Sequence, residues 1–196
     1  MSARAETTAA DDLTPAAMRR LVEFVNTRRA DGDAIGTPDE LATWLHDHAL
    51  LSRHTAVTAH ERDRAARVRE GLRALLAQNN ADPVSSPRPD GLAPTAHAEL
   101  SAMTAELPLT LDVASTPPTL VPATHGSVDT ALATLLADIA TAVAAGTWPR
   151  LKTCREPSCR WAFYDHSRNR GRTWCSMNVC GNRVKVRASH RRNSMR

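Results

Sequence analysis

The chain has 196 residues, 42% of them apolar, with a formal charge of +4, which suits one domain or two small ones with a real core. No run of about 18 apolar residues occurs and the N-terminus lacks an apolar h-region, so neither a membrane-spanning helix nor a secretory leader is expected and the expected location is the cytoplasm. The modest net charge conceals a dipole. Residues 150–196 hold thirteen Lys/Arg against only Glu156 and Asp165, a formal +11, while residues 1–149 hold twelve basic and nineteen acidic residues, a formal −7. Such asymmetry points to a polyanion-binding C-terminal segment.

Residues 1–12 are polar and alanine-rich and read as a flexible N-terminus. Thr14-Pro15 reads as an N-cap with proline at the first helical position, opening a helix to about Arg29 whose Met18, Leu21, Val22 and Val25 share one face. Asp31-Gly32-Asp33 ends it. Thr37-Pro38-Asp39-Glu40 is a capping box that starts a short helix through Leu41, Trp44 and Leu45. Thr58 and Glu61 form a second, opening a longer helix to about Gln78 with Val68, Leu72, Leu75 and Leu76 as its buried stripe.

Residues 82–94, with four of the twelve prolines, read as an exposed loop, and a short helix is expected around 95–106. Leu109, Leu111 and Val113 alternate with polar residues and are followed by Thr119 to Val121, which suggests a small β-hairpin. Ser127 caps a helix to about Ala145, with Leu132, Leu135, Leu136, Ile139 and Val143 on one face and Gly146 at C′.

All four cysteines then fall within 27 residues: Cys154, Cys159, Cys175 and Cys180, as C-x4-C, a 15-residue insert, and C-x4-C. Two symmetric thiol pairs read most economically as one structural Zn2+ site, since tetrahedral zinc accepts four thiolates. Disulfide or redox chemistry is the lesser alternative, because a reducing compartment keeps thiols free. Full four-sulfur ligation leaves no open coordination position for catalysis. Between the pairs, Trp161 to Tyr164 has strand character and Ser167 to Gly171 is a basic turn; beyond them, Asn182 to about Arg192 can be helical. The order is a knuckle, a hairpin, a second knuckle and a helix, as in a treble-clef-like finger.

On that helix Arg183, Arg187 and Arg191 fall at i, i+4 and i+8 and form one basic face able to follow phosphates or reach guanine edges. Arg168, Arg170 and Arg172 form the non-helical phosphate-contact candidate, with Lys185 nearby. The competing reading is neutralisation: four thiolates and Zn2+ leave a formal charge of −2 that neighbouring arginines can offset.

The segment from Cys154 to Arg192 resembles the CGNR zinc-finger family through Phe163, Asp165, Ser167-Arg168-Asn169-Arg170, Arg172, Trp174-Cys175-Ser176-Met177, Cys180-Gly181-Asn182-Arg183 and Lys185. The N-terminal part is similar to its partner domain, ABATE, through LVEFVNTR (21–28) and ATWLHDHAL (42–50). The resemblance implies a stress-related transcriptional regulator; with the basic finger it leads to the expectation of DNA as partner and of an N-terminal domain that senses a small-molecule effector, forms a homodimer, or does both.

Within the finger, Gly181 is expected to release the chain at positive φ, Asn182 to cap the final helix, Asp165 to accept from backbone amides or from Arg172 or Arg183, and Trp161 and Trp174 to be core. Asn26 and Arg28, at the end of LVEFVNTR, are the effector-pocket candidates, against helix termination and a hydrogen bond between helices. No nucleophile elbow, phosphate loop or HExxH pattern occurs, so no enzymatic activity is expected. The expected fold is α+β: an ABATE-like, mostly helical domain (13–148) carrying a small β-hairpin, followed by a four-cysteine finger (149–196).

Overall fold

The computed structural model describes residues 14–29, 31–80, 95–183 and 185–186. The expectations for residues 1–12, for the proline-rich loop and for Arg187 and Arg191 lie outside these. The architecture is α+β, mostly helical with small antiparallel hairpins. Five helices, α1 (Ala16–Val25), α2 (Pro38–Asp47), α3 (Ala59–Gln78), α4 (Ala96–Thr104) and α5 (Val128–Ala144), accompany three two-stranded sheets. The pairs are β1 (Arg28–Arg29) with β2 (Gly32–Asp33), β3 (Leu109–Asp112) with β4 (Thr119–Pro122), and β5 (Leu151–Thr153) with β6 (Ala162–Tyr164).

Local signals set most helix starts. Thr37 and Thr58 each make the full capping box, with Glu40 and Glu61 returning a carboxylate to the cap amide, and the Ser127 side chain accepts from Thr130 N. Helix α5 stops in a Schellman arrangement: Thr147 N donates to Ala142 O, Gly146 N donates to Val143 O, and Gly146 takes φ 64°. Helix α1 differs from expectation at both ends. Thr14 does not cap it; its hydroxyl is 3.0 Å from His166 Nε2. At the other end the helix stops at Val25 rather than Arg29, and Arg28–Arg29 turns back to pair with Gly32–Asp33.

Leu21, Phe24, Val25, Leu41, Leu45, Val68, Leu72, Leu76, Leu132 and Leu135 are fully buried in one core, and Leu151 and Ala162 of the last strand pair belong to it. Val143, expected on the buried face of α5, is exposed, as are Leu111 and Val113 at the β3–β4 hairpin. Gly71 is where α3 meets α4: a Cβ there would stand 2.5 Å from Leu100 Cβ and 3.0 Å from Ala96 O.

The apolar stripe of α3 also carries cations that periodicity did not announce. Arg69, 1% exposed, clamps Asp33 with bonds of 2.6 and 2.9 Å and donates to Thr27 Oγ1. Burial opposes ionisation of Asp33, but the Arg69 hydrogen bonds, the Ile35 amide and the charges of Arg69 and Arg62 outweigh it and hold the carboxyl below its ordinary range. Arg73, lowered from the usual guanidinium range by burial despite Glu70, donates to Val25 O and Arg160 O.

Candidate metal centre and its basic surround

Strands β5 and β6 pair with Leu151 opposite Tyr164, Lys152 opposite Phe163 and Thr153 opposite Ala162, so the first cysteine pair lies in the loop between them. This differs from the expected order, in which the hairpin followed the knuckle. Cys154 N donates to Trp161 O at 2.9 Å and closes the loop. Inside it the Glu156 carbonyl accepts from both Cys159 N and Arg160 N, turning the chain sharply enough to bring Cys159 back, with Arg160 at φ 52°. The second pair is built on a helical turn of π type, Met177–Gly181. Ser176 caps it, its side chain accepting from Val179 N while its carbonyl accepts from Cys180 N and Gly181 N. Asn182, expected as a cap, lies in the helical segment and donates to Asn178 O.

Gly181 is not among the positive-φ residues. Its constraint is contact, since a Cβ would meet Met177 Sδ at 2.9 Å. Trp161 and Trp174, expected as core, are only partly buried, and Arg29 lies over the Trp161 ring at 5.5 Å.

The four sulfurs lie within 4.8 Å of one another, with 3.5 Å between those of Cys159 and Cys175 and 3.7 Å between those of Cys175 and Cys180. All four thiols are free. A tetrahedral ion with metal–sulfur bonds of about 2.3 Å requires sulfur–sulfur edges of about 3.8 Å, whereas a disulfide needs about 2.05 Å. The cluster therefore fits one tetrahedral ion, and its 3.5 and 3.7 Å sulfur–sulfur distances are too long for disulfide bonds.

Alone, the sulfurs oppose one another's ionisation. Hydrogen bonding with Cys154 and Cys159 drives the Cys175 thiol far up, and burial pushes Cys180 up to about 12. Cys154 is raised, mainly by its bond to Cys159, while Cys159, accepting from Cys154 and Cys175, falls to about 2. A divalent cation held by the four sulfurs would favour the thiolate form of each.

The basic residues divide by direction. Arg172, a phosphate-contact candidate, is exposed, but its guanidinium is engaged by the chain itself: it donates to Trp174 O and Cys175 O and lies 4.9 Å from the Phe163 ring. Arg150 donates to Asp165 O and Ser167 O, Arg155 to Asn80 O, and Arg160 to Pro157 O. Asp165, fully buried, accepts from Lys152 Nζ at 2.8 Å, from Ser167 N and Oγ, and from Arg172 N. Its partner is thus Lys152, which the sequence did not single out, and only the backbone of Arg172. Desolvation raises the Asp165 pKa, but Lys152 and Ser167 more than compensate and hold it below the ordinary range. Arg168, Arg170, Arg183 and Lys185 are exposed and have no carboxylate partner among the described residues.

The effector candidates occupy different settings. Asn26 is buried, and its side-chain amide exchanges two bonds with the backbone of Ala162 in β6, Nδ2 donating at 2.9 Å and Oδ1 accepting at 2.8 Å. Arg28 is exposed on β1, 3.8 Å from Asp33. Three further residues that sequence reasoning passed over join Asn26 in docking the finger. Asn79 donates to Trp148 O and Leu151 O, Asn80 donates to Thr153 O and Thr173 O, and Arg73 reaches Arg160 O. The only sequence signal was the unusual Asn-Asn pair ending α3.

Fold and site together define a helical domain carrying a C-terminal four-cysteine finger. Residues 18–146 match the ABATE family model, described as "Putative stress-induced transcription regulator", and residues 150–193 match the CGNR zinc finger model. The chain belongs to the ABATE family and carries a CGNR zinc finger. No curated protein matches it. Among the described residues no helix is long and apolar enough to cross a membrane.

Proposed function

We propose that the chain is a transcriptional regulator that binds duplex DNA through the finger, with one structural Zn2+ held by Cys154, Cys159, Cys175 and Cys180, and that the N-terminal domain senses an effector, dimerises the protein, or does both. Zinc is favoured by an all-thiolate, tetrahedral donor set with no open position. The observation carrying the DNA reading is that Arg168, Arg170, Arg183 and Lys185 stand exposed around the metal-held loops without acidic partners among the described residues. Acceptor-only phosphates suit such a surface.

The test is full-length protein purified without added zinc. Elemental analysis is expected to give one zinc per chain; a ratio far below one in folded protein removes the zinc assignment. Anisotropy with a labelled 20-base-pair duplex is expected to give affinity that falls with salt, the slope being about −0.9 per phosphate contacted. No salt-sensitive binding removes the DNA assignment.

One observation favours a second reading, in which the finger is a structural appendage of a ligand-binding or protein-interaction protein. Arg150, Lys152, Arg155, Arg160 and Arg172 are all spent on the protein's own carbonyls and carboxylates. In that case neutralising the four outward cations leaves every binding property unchanged.

A further inference from the structure

In the turn from Asp165 to Arg172 most backbone carbonyls are occupied by the protein's own donors, while the side chains of Arg168 and Arg170 are exposed. Arg150 Nη1 occupies the carbonyls of Asp165 and Ser167 at 2.8 and 2.9 Å. Lys152 Nζ occupies those of Arg170 and Arg172, and Thr173 Oγ1 lies 3.3 Å from that of Gly171. Both oxygens of the Asp165 carboxylate are consumed internally. On the outside stand the exposed side chains of Arg168, Asn169 and Arg170, and the amides of Arg168 and Asn169 have no acceptor among the described residues. Two exposed guanidiniums and two amides without acceptors, beside carbonyls mostly occupied by the protein's own donors, suit an anionic ligand rich in acceptors, and the Asn169 side chain can donate to it as well. Beneath it, Lys152 and Asp165 cancel each other, but Arg150 bonds carbonyls alone and adds a cation without a neighbouring carboxylate among the described residues.

The turn is also braced beyond what a solvent loop requires. Gly171 N donates to Ser167 Oγ and Arg170 N to Ser167 O, so Ser167 joins the two ends of the loop while its hydroxyl donates a hydrogen bond to Asp165 Oδ1. Arg170 sits at φ 52°, a left-handed conformation in which glycine or asparagine costs less than arginine. An exposed arginine kept in that region by the bonds of Ser167 and Lys152 around it is the pattern expected where the side chain is used.

We propose that this turn is a preformed phosphodiester clamp. Arg168, Asn169 and Arg170 contact the nucleic-acid backbone, and Ser167, Asp165, Lys152 and Arg150 act as positioning residues that aim them. The proposal rests on the DNA reading above and narrows it: the turn supplies register on the backbone without reading sequence, and Arg172 is not a contact.

The experiment uses full-length, zinc-loaded protein and 20-base-pair duplexes of two unrelated sequences, titrated over salt. Arg168→Ala combined with Arg170→Gly is expected to reduce the salt slope by about 2 and weaken binding about 30-fold at 0.15 M salt, equally on both duplexes. Its thermal midpoint is expected to be unchanged or higher, because glycine accepts the left-handed turn. Ser167→Ala, which keeps every charge, is expected to weaken binding several-fold while holding the slope within about half a unit. Salt-sensitive binding by the parent with an unchanged slope in the double variant overturns the clamp and leaves the DNA reading standing. Failure of the parent to bind either duplex overturns both. If Ser167→Ala binds as the parent does, the positioning role is removed and the arginine contacts remain.

Discussion

Asn26, the C-cap residue of the first helix, acts as a strand partner for Ala162, 136 residues away: one side-chain amide both donates to and accepts from one backbone residue of β6. This reciprocal pair, buried on both sides, welds the helical domain to the strand that leads out of the first cysteine knuckle. It lies where β6 joins the main core, to which Ala162 itself belongs.

Asn26→Ala is therefore expected to leave Ala162 N and O buried without partners and to cost about 2–4 kcal/mol in urea unfolding. A loss below about 0.5 kcal/mol would mean that water reaches the strand and that the weld is not what holds the finger.

Chelation is expected to reach beyond the finger. Asn80 and Arg73 donate to carbonyls of Thr153, Thr173 and Arg160, which flank the cysteines, so loosening the knuckles removes their acceptors. Hydrogen exchange should then accelerate at the C-terminal turns of α1 and α3 as well as at 150–183, and recover on adding zinc. Protection changes confined to the finger would show that the two parts are energetically separate.

Removing Asp33 takes the two-bond partner from the buried Arg69 guanidinium and leaves it only Glu70, 3.0 Å from Nε, and the Thr27 hydroxyl. Asp33→Ala is expected to cost about 3–5 kcal/mol, and Asp33→Ala with Arg69→Met distinctly less than the sum of the singles. Additive losses in a double-mutant cycle would contradict a coupled pair.

The pH dependence follows from opposite shifts. Asp33 and Asp165 have lowered folded-state pKa values, so their contribution is complete above the ordinary carboxylate range and is lost as pH falls through the lowered values. Asp138 is raised, chiefly by burial against the pull of Arg20, so protonating it in acid favours the fold and offsets part of that loss. Stability should therefore fall with pH below about 4, and fall less steeply in Asp165→Asn than in the parent. Parallel curves would refute the assignment to Asp165.

Two glycines should respond differently to alanine. At Gly71 the added methyl meets the Cβ of Leu100 and a backbone carbonyl, which can yield only if α4 moves, and a loss of about 1–3 kcal/mol is expected. At Gly181 it meets the far end of Met177, a half-exposed flexible side chain, and less than about 1 kcal/mol is expected. Thermal unfolding of the two variants side by side distinguishes them.

Much of this protein was legible along the chain, for a physical reason. Capping boxes at Thr37 and Thr58, the Ser127 cap, the Gly146 stop and the C-x4-C pairs each act within a few residues, so their consequences are written where they occur. The family motif likewise lies in contiguous residues. What only folding decided is where long polar side chains go. Whether an arginine meets solvent, a carbonyl or a carboxylate depends on residues brought together from far apart. Arg69 finds Asp33, Lys152 finds Asp165, and Asn26 finds Ala162 for that reason. The same rule divided the exposed arginines of the finger, tying the Arg172 guanidinium to two backbone carbonyls and leaving those of Arg168 and Arg170 without such bonds, a distinction carried by backbone carbonyl positions and by nothing in the side chains' identity.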